Sequence, residues 1–232
     1  MAREHAVIFE HELRIPTDAF TEEGFADWLA SESFPETGRI DFLAGDVEVE
    51  MSPEDLYTHG VVKTAVVLTL GDLIVRSDLG DVFTDSTRVT SRFAQLSAEP
   101  DVVVVFRETL ESGRVRLVST LSREADRYVA IEGAPDLVVE VVSDSSEKKD
   151  TERLPPLYAR AGIPEMWLAD ARGQEILFTI LTLDGNRDGG SYRAVPPDAD
   201  GWTASPRLGR SFRLVRRRLD PLPWRYVLEH RP

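Results

Sequence analysis

Residues 133–143 read GAPDLVVEVVS, and residues 99–106 read EPDVVVVF. Each is a short apolar run rich in β-branched valine and opened by Pro-Asp. Runs of that length, bounded by Pro and Ser, predict strands buried on both faces. Alternation along 136–142 puts Asp136, Val138, Glu140 and Val142 on one face and Leu137, Val139 and Val141 on the other. A carboxylate in the middle of such a run is costly unless it is paired or holds a metal. Glu140 therefore needs a partner. Asp101 opens the other valine strand, and if the two strands are neighbours the two acids converge. Two hard carboxylates with a backbone carbonyl and waters suit Mg²⁺ or Mn²⁺. The plainer alternative is that Glu140 pairs with a buried Arg or Lys.

Outward from these runs, helical and strand patterns alternate. Thr17 and Asp18 open a helix that carries Phe20, Phe25, Trp28 and Leu29. RIDFLAGDVEVEM (39–51) predicts a hairpin turning at Ala44-Gly45-Asp46. Ser52-Pro53 opens a long helix over about 54–76. Short strands follow over 82–90. Beyond the second valine run, 150–161 reads as a helix stopped by Gly162 and Pro164, and 165–170, 174–183 and 191–195 as strands. The fold class is α/β, a central mixed sheet flanked by helices. One domain over 1–232 is expected, with a C-terminal β extension over 184–232. Tyr158 and Trp167 are expected in the core.

Composition narrows the chemistry. The chain has 232 residues, 41 acidic and 27 basic side chains, a net charge of -14 and no cysteine. Thiolate metal sites, disulfides and a cysteine nucleophile are excluded. Four scattered histidines (His5, His11, His59, His230) leave carboxylates as the credible metal ligands. No secretory signal or apolar run of membrane-spanning length is recognised, so a cytoplasmic location is expected. The acidity argues against a nucleic-acid partner, yet it is uneven. Residues 206–232 hold eight arginines against Asp220 and Glu229, a local charge of +6. That tail either clamps onto the acidic body or a partner subunit, or meets nucleic acid. Neither a Walker loop nor a G-x-S-x-G elbow is present.

The blocks Glu99-Pro100-Asp101, Gly133 to Ser143 and Asp150 to Asp170, with Gly45, Glu50-Met51-Ser52-Pro53 and His59 upstream, resemble the Uma-type restriction endonuclease family of the PD-(D/E)XK nuclease superfamily. The likeness spans roughly residues 20–180 and implies a restriction endonuclease-like core. It implies that Asp101 is the PD aspartate and Glu140 the (D/E), both metal ligands with the Val141 carbonyl. Glu50 matches a further acid near the family's site, although Glu48 shares its strand face. His59 matches a family position too, but a lone helical histidine is more often a capped or surface residue.

The sequence departs from the pattern at the lysine. Position 142 is valine, and position 154, where the family's displaced lysine would fall, is leucine. Lys149 is the chosen substitute and Lys148 the second choice, because a long flexible stem can reach a site from the helix start. Otherwise both lie in a solvated turn. The resemblance thus implies a Mg²⁺- or Mn²⁺-dependent endonuclease acting on DNA, leaving a 5′-phosphate and working as a homodimer. The alternative is a catalytically inactive nuclease-fold binding or regulatory module.

Overall fold

The computed structural model describes residues 13–35, 38–119, 126–185 and 189–232. The chain runs through α1 (Glu22–Leu29), the hairpin β1 (Arg39–Leu43) and β2 (Asp46–Glu50), and the long helix α2 (Leu56–Val75). Next come β3 (Gly80–Thr84), β4 (Arg88–Ser91), β5 (Leu96–Ala98), β6 (Val102–Phe106), α3 (Arg107–Glu111), β7 (Val115–Ser119) and β8 (Tyr128–Gly133). Then follow β9 (Leu137–Val141), the helical stretch Lys149–Ala161 whose regular part is α4 (Leu154–Ala161), β10 (Glu165–Asp170), β11 (Leu177–Asp184) and β12 (Ser191–Ala194). The chain ends in β13 (Thr203–Ser205), β14 (Arg210–Leu219) and β15 (Leu222–Arg231).

The α/β class holds, but one central sheet does not describe it. The strands form two six-stranded mixed sheets, β2-β1-β5-β4-β8-β7 and β12-β11-β10-β9-β6-β3, and a three-stranded sheet, β13-β14-β15. The valine strands are the middle of the second sheet. β6 and β9 are antiparallel neighbours with Val102 opposite Val139, and β9 runs parallel to β10. Val102 to Val105 are all fully buried, as their composition requires.

Parity decides which layer each valine meets. Val102, Val104, Val139 and Val141 pack with Val62, Val66 and Leu70 of α2 and with Phe212, Leu214, Tyr226 and Leu228 of the third sheet. Val103, Val105 and Val138 pack with Leu154, Leu157 and Tyr158 of α4 and with Val89 and Leu96 of the first sheet. Asp101 and Glu140 continue the parity of Val103 and Val138. They therefore sit at the seam between the two large sheets, beside α4.

α2 departs from the sequence expectation. It is 20 residues long, with a mean hydropathy of 1.4 in its most apolar window, enough in length and composition to cross a membrane. One side of it is packed, with Val62, Val66, Leu70 and Ile74 buried against the second and third sheets, while Leu56, Leu68 and Val75 are exposed. Its polar start carries His59 and Lys63 toward Asp101.

Candidate active site

The antiparallel register of β6 and β9 brings Asp101 and Glu140 side by side at the strand ends. Both are buried, at 4% and 0% exposure. The Val141 amide donates to Asp101 Oδ2 at 2.7 Å, which orients that carboxylate. Tyr158, a core residue as expected, also donates its hydroxyl to Glu140 Oε1 at 2.6 Å. Glu140 Oε2 is buried and has no hydrogen-bond partner. Burial, and then the charges of Asp150 and Asp101, hold the Glu140 carboxyl well above the usual carboxylate range.

The β1–β2 hairpin supplies the opposite wall. Its register sets Arg39 across from Glu50 and Asp41 across from Glu48. The open question of which acid turns inward is answered by two cations. Glu48 pairs with Arg153, whereas Glu50 reaches Lys149 Nζ at 3.2 Å and accepts from the Ser145 hydroxyl at 2.6 Å. Burial opposes ionisation of Glu50, but Ser145, Lys149 and Arg39 outweigh it and hold the carboxyl below its ordinary value.

Lys149 lies 3.3 Å from Asp41 and is 7% exposed, while Lys148 is exposed. Of the two lysines, it is the first choice that enters the site. Burial and the neighbouring Arg39 work against its charge, and Asp41, Glu140 and Asp150 more than restore it. Val142 and Leu154, which stand where lysines were looked for, are both core. A cavity of about 180 Å³, lined by Asp41, Glu50, Ser145 and Lys149 among others, opens beside these groups. A larger cavity of about 740 Å³ lies under α1 on the first sheet and is lined by none of Asp41, Glu50, Asp101 and Glu140. The smaller one is lined by Asp41, Glu50 and Lys149, which link it to the buried acids.

Four residues of the site were not singled out from sequence. Asp41 is buried; it accepts from the Glu99 amide at 3.1 Å and faces Lys149. Arg39 places its guanidinium 3.6 Å from Asp41, 4.0 Å from Glu50, 3.8 Å from Asp101 and 3.7 Å from Glu140. Lys63 reaches Asp101 at 3.8 Å. Asp150 accepts from Ser146, and burial pushes its carboxyl up to about 7. The surface expectation for His59 is overturned. It is 2% exposed and stands between Glu54, at 2.9 Å from Nδ1, and Asp101, at 3.3 Å from Nε2. Burial would lower its pKa, but the contact with Asp101 and the charge of Glu54 raise it.

These donors fit a hard divalent cation. Glu140 Oε2 is sealed from water and accepts no hydrogen bond, with the Arg39 guanidinium standing off at 3.7 Å, which costs free energy unless something else satisfies it. Ligand atoms of Glu54, His59 and Asp101 also lie within 4.8 Å of one another, a second grouping able to hold a metal.

Residues 23–215 match the Uma2 family, described as putative restriction endonuclease. The chain belongs to the Uma2 family. A similar solved structure is that of a putative nuclease belonging to DUF820 from Anabaena variabilis ATCC 29413, at 17% identity and a TM-score of 0.56. The match covers 82% of this chain and 90% of that one. At that identity the likeness establishes a shared fold. No curated protein matches. The Uma2 match runs past residue 180 and ends within β14.

Proposed function

We propose that this protein is a divalent-metal-dependent endonuclease that hydrolyses DNA phosphodiester bonds. The observation that carries the reading is the buried Glu140 Oε2 beside Asp101, which accepts no hydrogen bond and has the Arg39 guanidinium at 3.7 Å, with the Lys149 ammonium on the same acidic cluster. Asp101, Glu140 and the Val141 carbonyl would hold Mg²⁺ or Mn²⁺, with Glu50 assisting. When bound, such an ion polarises a phosphoryl oxygen and lowers the pKa of a water.

The chain's own residues do the rest. The Val141 amide and the Tyr158 hydroxyl fix the two carboxylates. Lys149, held by Glu50 and Asp41, offers its ammonium to the attacking water or to charge developing on the phosphate. One site per chain cuts one strand, so cleavage of both strands favours a pair of chains.

A second reading, an inactive binding module, draws on Arg39, whose positive charge already lies within 4.0 Å of four acids. The two are separated by Mg²⁺- or Mn²⁺-dependent nicking of supercoiled plasmid. Asp101→Ala and Glu140→Ala are each expected to slow it by at least about a hundredfold. Equal nicking by wild type and both variants, or no Mn²⁺ binding by calorimetry, would sink the catalytic reading.

A further inference from the structure

Six of the eight arginines in residues 206–232 fall into two groups. Arg207 pairs with Asp136 and Glu108, Arg213 with Glu229, and Arg231 with Asp198. These hold the sheet to the body and to itself. Arg217, Arg218 and Arg225 do neither. They are exposed at the tip of the β14–β15 hairpin, and Arg217 stands directly across from Arg225. Among the described residues Arg217 and Arg225 make no ion pair, and Arg218 only lies over the Trp224 ring. Like charges directly opposite on neighbouring strands are destabilising. On a chain of net charge -14, three cations without acids are a local reversal of sign.

Their position is tied to the active site by a chain of contacts. Arg216, adjoining the patch, donates to the carbonyls of Ala171 and Gly173. Arg172 in that turn donates to the Ser143 carbonyl and pairs with Asp144 and Glu147. Ser145 in the next turn donates to Glu50. Hairpin, two turns and active site are thus linked through Arg216, while Arg217 and Arg225, of the opposite parity, project from the other, exposed face of the hairpin.

We propose that Arg217, Arg218 and Arg225 form a nucleic-acid backbone contact, taking phosphates of a duplex several nucleotides from the one being cut. The inference rests on the nuclease reading and deepens it. Guanidinium groups bind phosphate oxygens in paired geometry, and the Trp224 ring beneath Arg218 keeps it extended. On a chain of net charge -14 these cations bias the side from which a duplex approaches.

The test is fluorescence anisotropy of a labelled duplex with the full-length protein in EDTA, over a series of KCl concentrations. The triple variant Arg217→Ala/Arg218→Ala/Arg225→Ala is expected to bind at least tenfold more weakly. Its log–log salt slope should shrink by about 2–3, since each lost phosphate contact releases about 0.9 counterion. The corresponding triple lysine variant should recover most of the slope. The doubly substituted Asp101→Asn/Glu140→Gln protein should bind like wild type and leave plasmid uncut. An alanine triple with unchanged affinity and slope overturns the proposal, and it leaves the nuclease reading standing if wild type cuts. A triple that turns a dimer into a monomer while binding duplex normally also overturns it, assigning the patch to the acidic face of a second copy. Wild type that neither binds nor cuts removes both.

Discussion

Arg39 sits within 4.0 Å of four carboxylates and also donates to the Glu99 carbonyl. The guanidinium is a diffuse counter-ion for acids that would otherwise repel one another. A divalent cation asks for the same oxygens, so the two compete. Arg39→Met keeps the length of the side chain and removes its charge. The variant is expected to bind Mn²⁺ about tenfold more tightly, a gain of about 1.4 kcal/mol. Its metal-free form should be about 3 kcal/mol less stable, because buried acids lose a partner. Calorimetric titration and thermal melting with and without Mn²⁺ read both effects. Unchanged or weaker Mn²⁺ binding would mean that Arg39 supports the metal rather than displaces it. Asp101 and Glu140 were legible in the sequence because a carboxylate inside a valine run is an anomaly with few remedies. Arg39 and Asp41 were not, because RIDFL is an ordinary alternating strand and nothing local reveals which face is buried. His59 was misjudged for a related reason. A histidine's surroundings are set by the strand packed against its helix, here the one that begins at Asp101.

At the scale of elements, the hairpin matters most, since β1 and β2 carry Arg39, Asp41 and Glu50 into the site. Its two-residue turn is Ala44-Gly45, with φ of 52° at Ala44 and 100° at Gly45. Positive φ at both central positions defines a type I′ turn, which favours Asn-Gly. Alanine is a poor choice there, and its side chain is exposed. Ala44→Asn is therefore expected to stabilise the protein by about 0.5–1 kcal/mol with plasmid cleavage unchanged. A lower melting temperature would contradict the turn assignment. The hairpin, the two valine strands and three of the helices were readable from period, caps and turn residues, whereas the five-residue α3 was not. The splitting of the strands into two large sheets was not. β5 is three residues long, and β7 and β8 are broken by polar and charged side chains on the open face of the first sheet. Such strands give no buried run to read, and their order is fixed by long-range pairing.

For the whole molecule, the relevant quantity is how charge and burial tie the third sheet to the rest. Glu165 on β10 is the polar rivet between them, at 1% exposure. It accepts from Trp167 Nε1 at 2.6 Å, from Ser205 Oγ at 2.5 Å and from the Arg207 amide at 3.1 Å. Burial pushes its carboxyl above the ordinary 4.5, and the three donors with the Arg207 charge only partly offset this. The folded state therefore keeps a proton that the unfolded chain has released. Stability from this group is fullest below pH 4.5 and is lost as pH rises through the folded value. Glu165→Gln removes the titration and keeps an acceptor for Trp167 and Ser205. Between pH 4.5 and neutrality, the melting temperature of wild type is expected to fall relative to that of the glutamine variant. If wild type instead gains on the variant over that range, the three donors outweigh burial. Glu165 would then be an ionised anchor for β13 at every pH at which the protein is folded.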